Sequence, residues 1–379
     1  MTWNQQVVKK NNKALVLQLI MEQEPISRAD IAQVSGLNKT TVSTLVSELI
    51  EEDLIFESGP GVSSGGRRPV ILHFNKDAGY AIGIDIGVNY VLSILTDLKG
   101  NILIEKNQTV TRTTYATIMS MVQDMIQSLM DEMPKSRYGI VGIGVGVPGI
   151  VNNEGDILLA PNLGWSNIQF KEELENLYEI PIIIENEANA GAVGEQQFGA
   201  GQDQENILYV SAGIGIGVGI IVKKELYKGK NGFSGEMGHM IIEMNGKRCN
   251  CGSRGCWEAY ASEQALLEKA DTSIDSLDEL IQLAENRDEK AKKLLEEIGG
   301  YLGFGINNII NTFNPGQVII GNRLALAKEW LEAPIRNTIE KHTLAFHQND
   351  LKLDFSKLGK YSTSLGVSSF VVDNFIKRD

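Results

Sequence analysis

SRADIAQVSGLNKTTVSTLVSELIEE, residues 27–52, contains two helical patterns separated by a glycine turn. Ser27 followed by Arg28, Ala29 and Asp30 is an N-cap signal, since a hydroxyl can accept from the amides that a helix start leaves free. Ile31, Ala32 and Val34 then form a short apolar stripe, and Ser35-Gly36-Leu37 suits a tight turn. Asn38 caps a second pattern, Lys39 to Glu52, in which Val42, Leu45, Val46, Leu49 and Ile50 fall on one face. Its first exposed turn carries Lys39, Thr40, Thr41, Ser43 and Thr44. These are short polar residues that reach base edges and phosphates without blocking entry to a major groove. A small helical cap would explain the apolar stripes equally well, but not the polar turn, so the pattern is read as a helix-turn-helix.

Upstream, residues 5 to 22 place Val8, Leu15, Leu19 and Ile20 at three- and four-residue steps, an amphipathic helix ended by Pro25. Downstream, Leu54–Phe56 and Val70–Phe74 read as strands flanking SGPGVSSGGRRP (58–69), a loop that ends in Arg67 and Arg68. A hairpin of this kind is a wing, and paired arginines beside glycines suit a narrow minor groove. Residues 1–76 are therefore expected to form a winged helix-turn-helix that binds operator DNA through Arg28, Asn38, Lys39, Thr40, Thr41, Ser43, Thr44, Arg67 and Arg68.

Charge is divided along the chain. The net charge is −13, yet the first 76 residues hold eight basic and eight acidic side chains, so the remainder carries the whole excess. An acidic body repels DNA phosphate and leaves contact to the N-terminal segment. The chain has no run of about 18 uncharged apolar residues and no signal-like N-terminus, which excludes a membrane span and predicts a soluble, cytoplasmic protein. Three cysteines crowded between 249 and 256 cannot form a spread disulfide framework.

From residue 77 the apolar runs fall into two similar α/β halves, 77–190 and 191–379. The first has strand-like runs at 80–88, 91–98, 102–110, 140–147 and 180–185, with helices near 117–133 and 168–178. The second restarts at 207–222 and continues with a run near 240–244, helices near 257–267, 276–285, 289–311 and 325–341, a strand at 317–320 and a closing run from Leu351. Mixed sheets flanked by helices follow, with the ligand cleft between the halves at strand C-terminal ends.

Three motifs stand out in this body: IENEANA (184–190), GEMGH (235–239) and CNCGSRGCWE (249–258). With them the chain over residues 78–379 resembles the ROK family (repressor, open reading frame, kinase), whose fold is the duplicated actin-like sugar-kinase fold. The winged helix in front resembles the family's repressor branch. GLNKTTVSTLV (36–46), SSGGRRPV (63–70) and ENEANAGA (185–192) are most similar to members responding to xylose.

Cys249, Cys251 and Cys256 lie in a polar window where a core-filling role is poor. Thiolates this close satisfy zinc, with His239 as a candidate fourth ligand. The resemblance implies the same four ligands and a structural metal that holds Trp257 and Glu258 at the cleft. It also implies that Asn186, Glu236, His239 and Glu258 contact a sugar, with Gly149 beside it and Glu187 in the same site. Asn162 and Trp165, in PNLGW, are further candidates; the indole could stack on a sugar ring or fill the core.

The phosphate-handling segments depart from the family's kinases. Their first loop, Asp-x-Gly-Gly-Thr-Lys, is here Asp85-Ile86-Gly87-Val88-Asn89-Tyr90, with a β-branched side chain where backbone must approach phosphate. Their second, Gly-Thr-Gly-x-Gly-Gly-Gly, is Gly213-Ile214-Gly215-Ile216-Gly217-Val218-Gly219, and a later Gly-Gly is Gly321-Asn322. Glu187 replaces the catalytic aspartate. Its extra methylene moves the carboxylate ~1.5 Å, toward the space of a hexose CH₂OH, which favours a five-carbon pyranose. The expected function is a non-enzymatic, homodimeric repressor of xylose-utilisation genes, released from its operator by xylose, with glucose as a competitor that shares most ring hydroxyls. The alternatives are an ATP-dependent sugar kinase with a regulatory domain, and a repressor that responds to another sugar.

Overall fold

A computed structural model of the chain describes residues 5–60, 70–110 and 114–377. The N-terminal head has helices Gln5–Gln23, Arg28–Ser35 and Lys39–Glu51. Ser27 accepts from the Asp30 amide and Asp30 answers to the Ser27 backbone, a reciprocal cap. Gly36 follows in the left-handed region at φ 71°, a conformation a side chain resists, and Asn38 caps the third helix by accepting from Thr41 N. Strands Ile55–Pro60 and Val70–Phe74 pair antiparallel and the two-residue strand Ile26–Ser27 joins the latter, so a winged helix-turn-helix results.

The two lobes of the body repeat one topology. In the first, Ile182–Asn186, Ile140–Val147, Tyr80–Ile86, Tyr90–Asp97 and Ile102–Thr109 lie in that spatial order. In the second, Lys352–Phe355, Gln317–Gly321, Ile207–Ala212, Ile216–Val222 and Glu225–Leu226 do. Each lobe has the first strand of its half in the centre, antiparallel to the hairpin strand after it and parallel to a later strand. The central strands are buried throughout and mostly apolar, because helices cover the sheets. Helix Tyr115–Glu132 buries Ile118, Val122, Ile126 and Leu129 on the first lobe; helix Glu289–Phe313 buries Leu295, Leu302, Ile306 and Ile310 in the second. Among the described residues no helix is long and apolar enough to cross a membrane.

Several expectations change. The closing run from Leu351 yields only the short strand Lys352–Phe355 and then a helix, Ser362–Ile376, whose polar Ser and Thr residues mask its period. This helix packs on the first lobe's central strands, so the half drawn at 191–379 returns its last element to the other lobe. The run near 240–244 is a loop with one isolated bridge, Ile241 to Cys256, and the helix near 257–267 divides into Glu258–Ala261 and Glu263–Leu267 at the Ser262 cap. Head and body share one core: Leu49, Ile55 and Leu72 cluster with Ala81, Leu98, Val141 and Val371.

Candidate functional site

A cavity of about 340 Å³ opens between the lobes. Gly149, Asn162, Asn186, Glu187, Glu236, His239 and Glu258 all line it. Trp165 does not. It is 3 % exposed in the first lobe's core, edge-on to Tyr115 and stacked with Phe170, so the sugar-stacking alternative for this indole is replaced by core filling.

Asn186 ends a parallel strand and caps helix Glu187–Phe198, which carries the pocket's first turn. Its Oδ1 accepts from the amides of Ala188 (2.9 Å) and Asn189 (3.1 Å), while Nδ2 donates to the Gly149 carbonyl at 2.8 Å. One amide proton remains for a ligand. Glu187 begins that helix and accepts from the Ser211 hydroxyl at 3.1 Å. Burial pushes the Glu187 carboxyl up to about 7, against the Ser211 bond and with help from the Glu258 charge. Glu258 accepts from Ile216 N at 2.9 Å, which fixes one oxygen beside the second glycine loop. Glu236 stands 3.9 Å from His239 Nε2; burial raises its pKa and the histidine opposes the rise.

The other nitrogen of His239 faces sulfur: Nδ1 is 3.7 Å from Cys249 Sγ, and Cys251 Sγ is 3.7 Å from Cys256 Sγ. All four donor atoms lie within 4.8 Å of one another. A tetrahedral ion with ~2.3 Å bonds to sulfur sets ligands at edges of about 3.8 Å, so the donor set and its spacing fit a tetrahedral metal. Burial pushes the Cys249 thiol up to about 12 and raises Cys256 too, as expected of thiols that a cation must ionise. Because His239 gives one nitrogen to this cluster and the other to the cleft, cluster and pocket geometry are joined through one ring.

Three amides of the glycine loops are already engaged within the protein. Gly87 N donates to Tyr90 O (2.9 Å), Gly213 N to Gly215 O (3.0 Å) and Ile216 N to Glu258. The Tyr90 ring lies flat against Gly87, where a Cβ would come within 2.2 Å of it, and the Tyr90 hydroxyl donates to Asp85 at 2.6 Å. Asn322 Nδ2 donates to Ser211 Oγ at 3.0 Å beside Gly213. Burial and then the Glu187 charge push Asp85 up to about 8 against the Tyr90 bond. Arg323 reaches the cavity, but its Nε donates to both oxygens of buried Glu263 (2.9 and 3.1 Å) and its Nη2 to Asp278 (2.8 Å). Sequence reasoning placed the first loop's change at Val88; the residue that fills the loop is Tyr90. Ser211 was also missed as the partner of Glu187, and Asn322 as the partner of Ser211; for Ser211 no sequence signal exists, since its role comes from strand register across the lobe.

On the head, Asn38, Lys39, Thr40, Ser43 and Thr44 are exposed on one turn of the third helix and Thr41 is half-buried. Asn38 spends its side-chain oxygen on the cap, and Arg28 pairs with Glu57 at 2.7 Å. Arg67 and Arg68 lie outside the described residues.

Comparison with known proteins places these features. The ROK family model matches residues 81–374, and a winged helix-turn-helix DNA-binding model matches residues 12–55. The chain is 44 % identical over 375 residues to the xylose repressor of Bacillus subtilis, covering 98 % of each chain. A solved ROK family transcriptional regulator, a homologue of the E. coli MLC protein, superposes with a TM-score of 0.82 at 28 % identity, over 98 % of this chain and 97 % of that one. A ROK family glucokinase from Streptomyces griseus, solved with glucose and AMPPNP, matches 77 % of this chain and 99 % of its own, with a TM-score of 0.70 at 27 % identity. With a DNA-binding winged head joined to the two-lobed body, the chain belongs to the ROK family.

Proposed function

We propose that the chain is a transcriptional repressor of xylose-utilisation genes, a sensor rather than an enzyme, which leaves its operator when xylose occupies the cleft. The observation that carries this reading is the contrast inside one cavity. Its sugar side keeps Asn186, Glu236, His239 and Glu258, with polar atoms suited to several hydroxyls, while on its phosphate side the amides of Gly87, Gly213 and Ile216 are engaged within the protein and the Tyr90 ring covers Gly87. Relatives named xylose repressors, similar along the whole chain, support the choice of sugar. Arg323, neutralised by two carboxylates, gives no support to a phosphorylated inducer.

Lys39, Thr40, Thr41, Ser43 and Thr44 read the major groove, aided by Arg28 and Asn38, and Arg67 and Arg68 of the wing enter the minor groove. A homodimer on a palindromic operator in the cytoplasm completes the picture, since a two-fold site mirrors a two-fold protein. Zinc at His239, Cys249, Cys251 and Cys256 is structural: four protein ligands leave no open position, and the ion would hold the loop that leads into Trp257 and Glu258. Glucose, sharing ring hydroxyls with xylose, is a weaker competitor. The test uses duplexes selected from a random pool by the full-length protein, titrated with a panel of free sugars and sugar phosphates. Release by xylose at the lowest concentration is expected; indifference to every sugar, or release only by a phosphorylated one, overturns the reading.

A further inference from the structure

In the corner of the cavity nearest the first glycine turn, Tyr90 and Asp85 belong to no sugar contact described above, yet they are closely tied to each other. Tyr90 opens the strand after that turn and folds back over it. Its ring covers Gly87 so closely that any side chain there would collide with it. Its carbonyl takes the Gly87 amide at 2.9 Å, and its hydroxyl donates to Asp85 at 2.6 Å. Asp85 is 2 % exposed, and its second oxygen, Oδ1, is buried without a hydrogen-bond partner among the described residues. Across the corner, Glu187 is held by Ser211 and Ser211 by Asn322. Tyr90 lines the same cavity as the sugar-side residues, so its ring faces the ligand space rather than a separate core.

We propose that Tyr90 is a specificity-determining residue of the pocket: its ring, stacked on Gly87 and tied to Asp85, fills the corner into which the C5 substituent of a hexopyranose would project. The inference rests on the sugar reading above. In a two-lobed kinase the accepting hydroxyl must meet the phosphate, so it points from the sugar contacts toward the glycine loops. Here the residues at that junction are Glu187, Asp85 and Tyr90. A pyranose that ends at C5 with two hydrogens leaves them undisturbed. A hydroxymethyl group must lift the ring from Gly87, break the bond to Asp85 and leave both carboxyl oxygens of that acid unpartnered in a buried site, which costs more than the added group returns. Glu187 narrows the same corner from the opposite wall, so the two residues act together on one carbon of the ligand.

The test compares full-length wild type with Tyr90→Ala, Tyr90→Leu and Tyr90→Phe, measuring by calorimetry the dissociation constants of xylose and glucose, sugars that differ only by the group on C5. Tyr90→Ala is expected to narrow the preference for xylose over glucose by about tenfold or more, the scale on which one carbon is discriminated in a pocket. Tyr90→Leu serves if the alanine variant does not fold, and is expected to shift the ratio the same way. Tyr90→Phe keeps the ring over Gly87 and is expected to retain most of the preference. A purely structural role would weaken both sugars equally, so an unchanged ratio in Tyr90→Ala and Tyr90→Leu overturns the proposal. If wild type binds xylose but stays on its selected duplex, the repressor reading fails while the Tyr90 assignment is still judged by the ratio.

Discussion

Asn186 does two things with one amide: it caps the helix that bears Glu187 and ties that helix to Gly149, just past the end of the neighbouring strand of the same lobe. Replacing it with alanine removes all three bonds, so Asn186→Ala is expected to cost about 1–2 kcal/mol in urea unfolding and to abolish measurable xylose binding. Asp85 and Glu187 define a pH effect. Their folded-state pKa values, about 8 and about 7, lie above those of exposed acids, so the folded chain keeps two protons that the unfolded chain releases. Stability from this source is complete below about pH 4 and declines as pH rises to about 8. Tyr90, Glu187 and Tyr209 carry the charges and dipoles that face Asp85 from neighbouring strands and the helix Glu187–Phe198. Asp85→Asn should flatten the fall in urea midpoint between pH 5 and pH 8; an unchanged slope would show that these acids do not set it. The cysteine window was legible because ligand chemistry restricts residue type and spacing together. Tyr90 was not, because a tyrosine at a strand start says nothing of whether its ring turns outward or back over the preceding turn.

At the scale of elements, the helix Ser362–Ile376 spans the molecule. At its start, Ser362 Oγ donates to buried Glu195 (2.9 Å) and Thr363 Oγ1 to the Glu187 carbonyl (3.3 Å). Along its length it lies on helix Glu187–Phe198 at backbone contact, for a Cβ on Gly366 would fall 1.8 Å from Ala190 O, and one on Gly194 2.1 Å from Ser362 O. Its far end places Val371 and Val372 in the head's core and sets Phe375 edge-on to Tyr138, whose hydroxyl donates to the carbonyl of Glu52 at 2.9 Å. A shift at the pocket's first turn therefore has a continuous packed route to the winged helix. Gly366→Ala forces the two helices apart, with an expected loss of about 1–3 kcal/mol by thermal unfolding and a xylose response reduced more than xylose binding. Release at the wild-type xylose concentration in a folded variant would place the route elsewhere. On the third helix of the head, Lys39→Ala should weaken all duplexes alike and lower the salt dependence by about one unit, whereas Thr44→Ala should relax base preference. The helix-turn-helix was readable because caps, glycine turn and apolar stripe agreed. The C-terminal helix was not, since its serines and threonines are buried by contact with two glycine-bearing partners that no local window contains.

The whole molecule is a duplicated scaffold with a reader fused to one copy. Both lobes carry the same strand order, and the cleft between them gathers residues more than 100 positions apart, from Gly149 to Glu258. The head shares a core with the first lobe and is further clamped to it by ion pairs of Glu24 with Lys99 and of Lys76 with buried Asp97 (2.9 Å). The metal cluster sits on the other lobe, with His239 at the boundary of cluster and cleft. Removal of the proposed zinc with a chelator, followed by metal analysis of the protein, is expected to lower xylose affinity while sugar-free operator binding persists; full sugar affinity in metal-free protein would deny the cluster that role. The two-lobed fold was legible in its repeated apolar runs, but which lobe claims the last helix was not, because chain order and spatial order part there.

Linkage between the two sites is the central claim, and calorimetry tests it most directly: xylose is titrated into the free protein and into its complex with a selected duplex. The account predicts weaker xylose binding to the complex, by the same factor by which saturating xylose weakens the duplex. Equal affinities in the two titrations would contradict it.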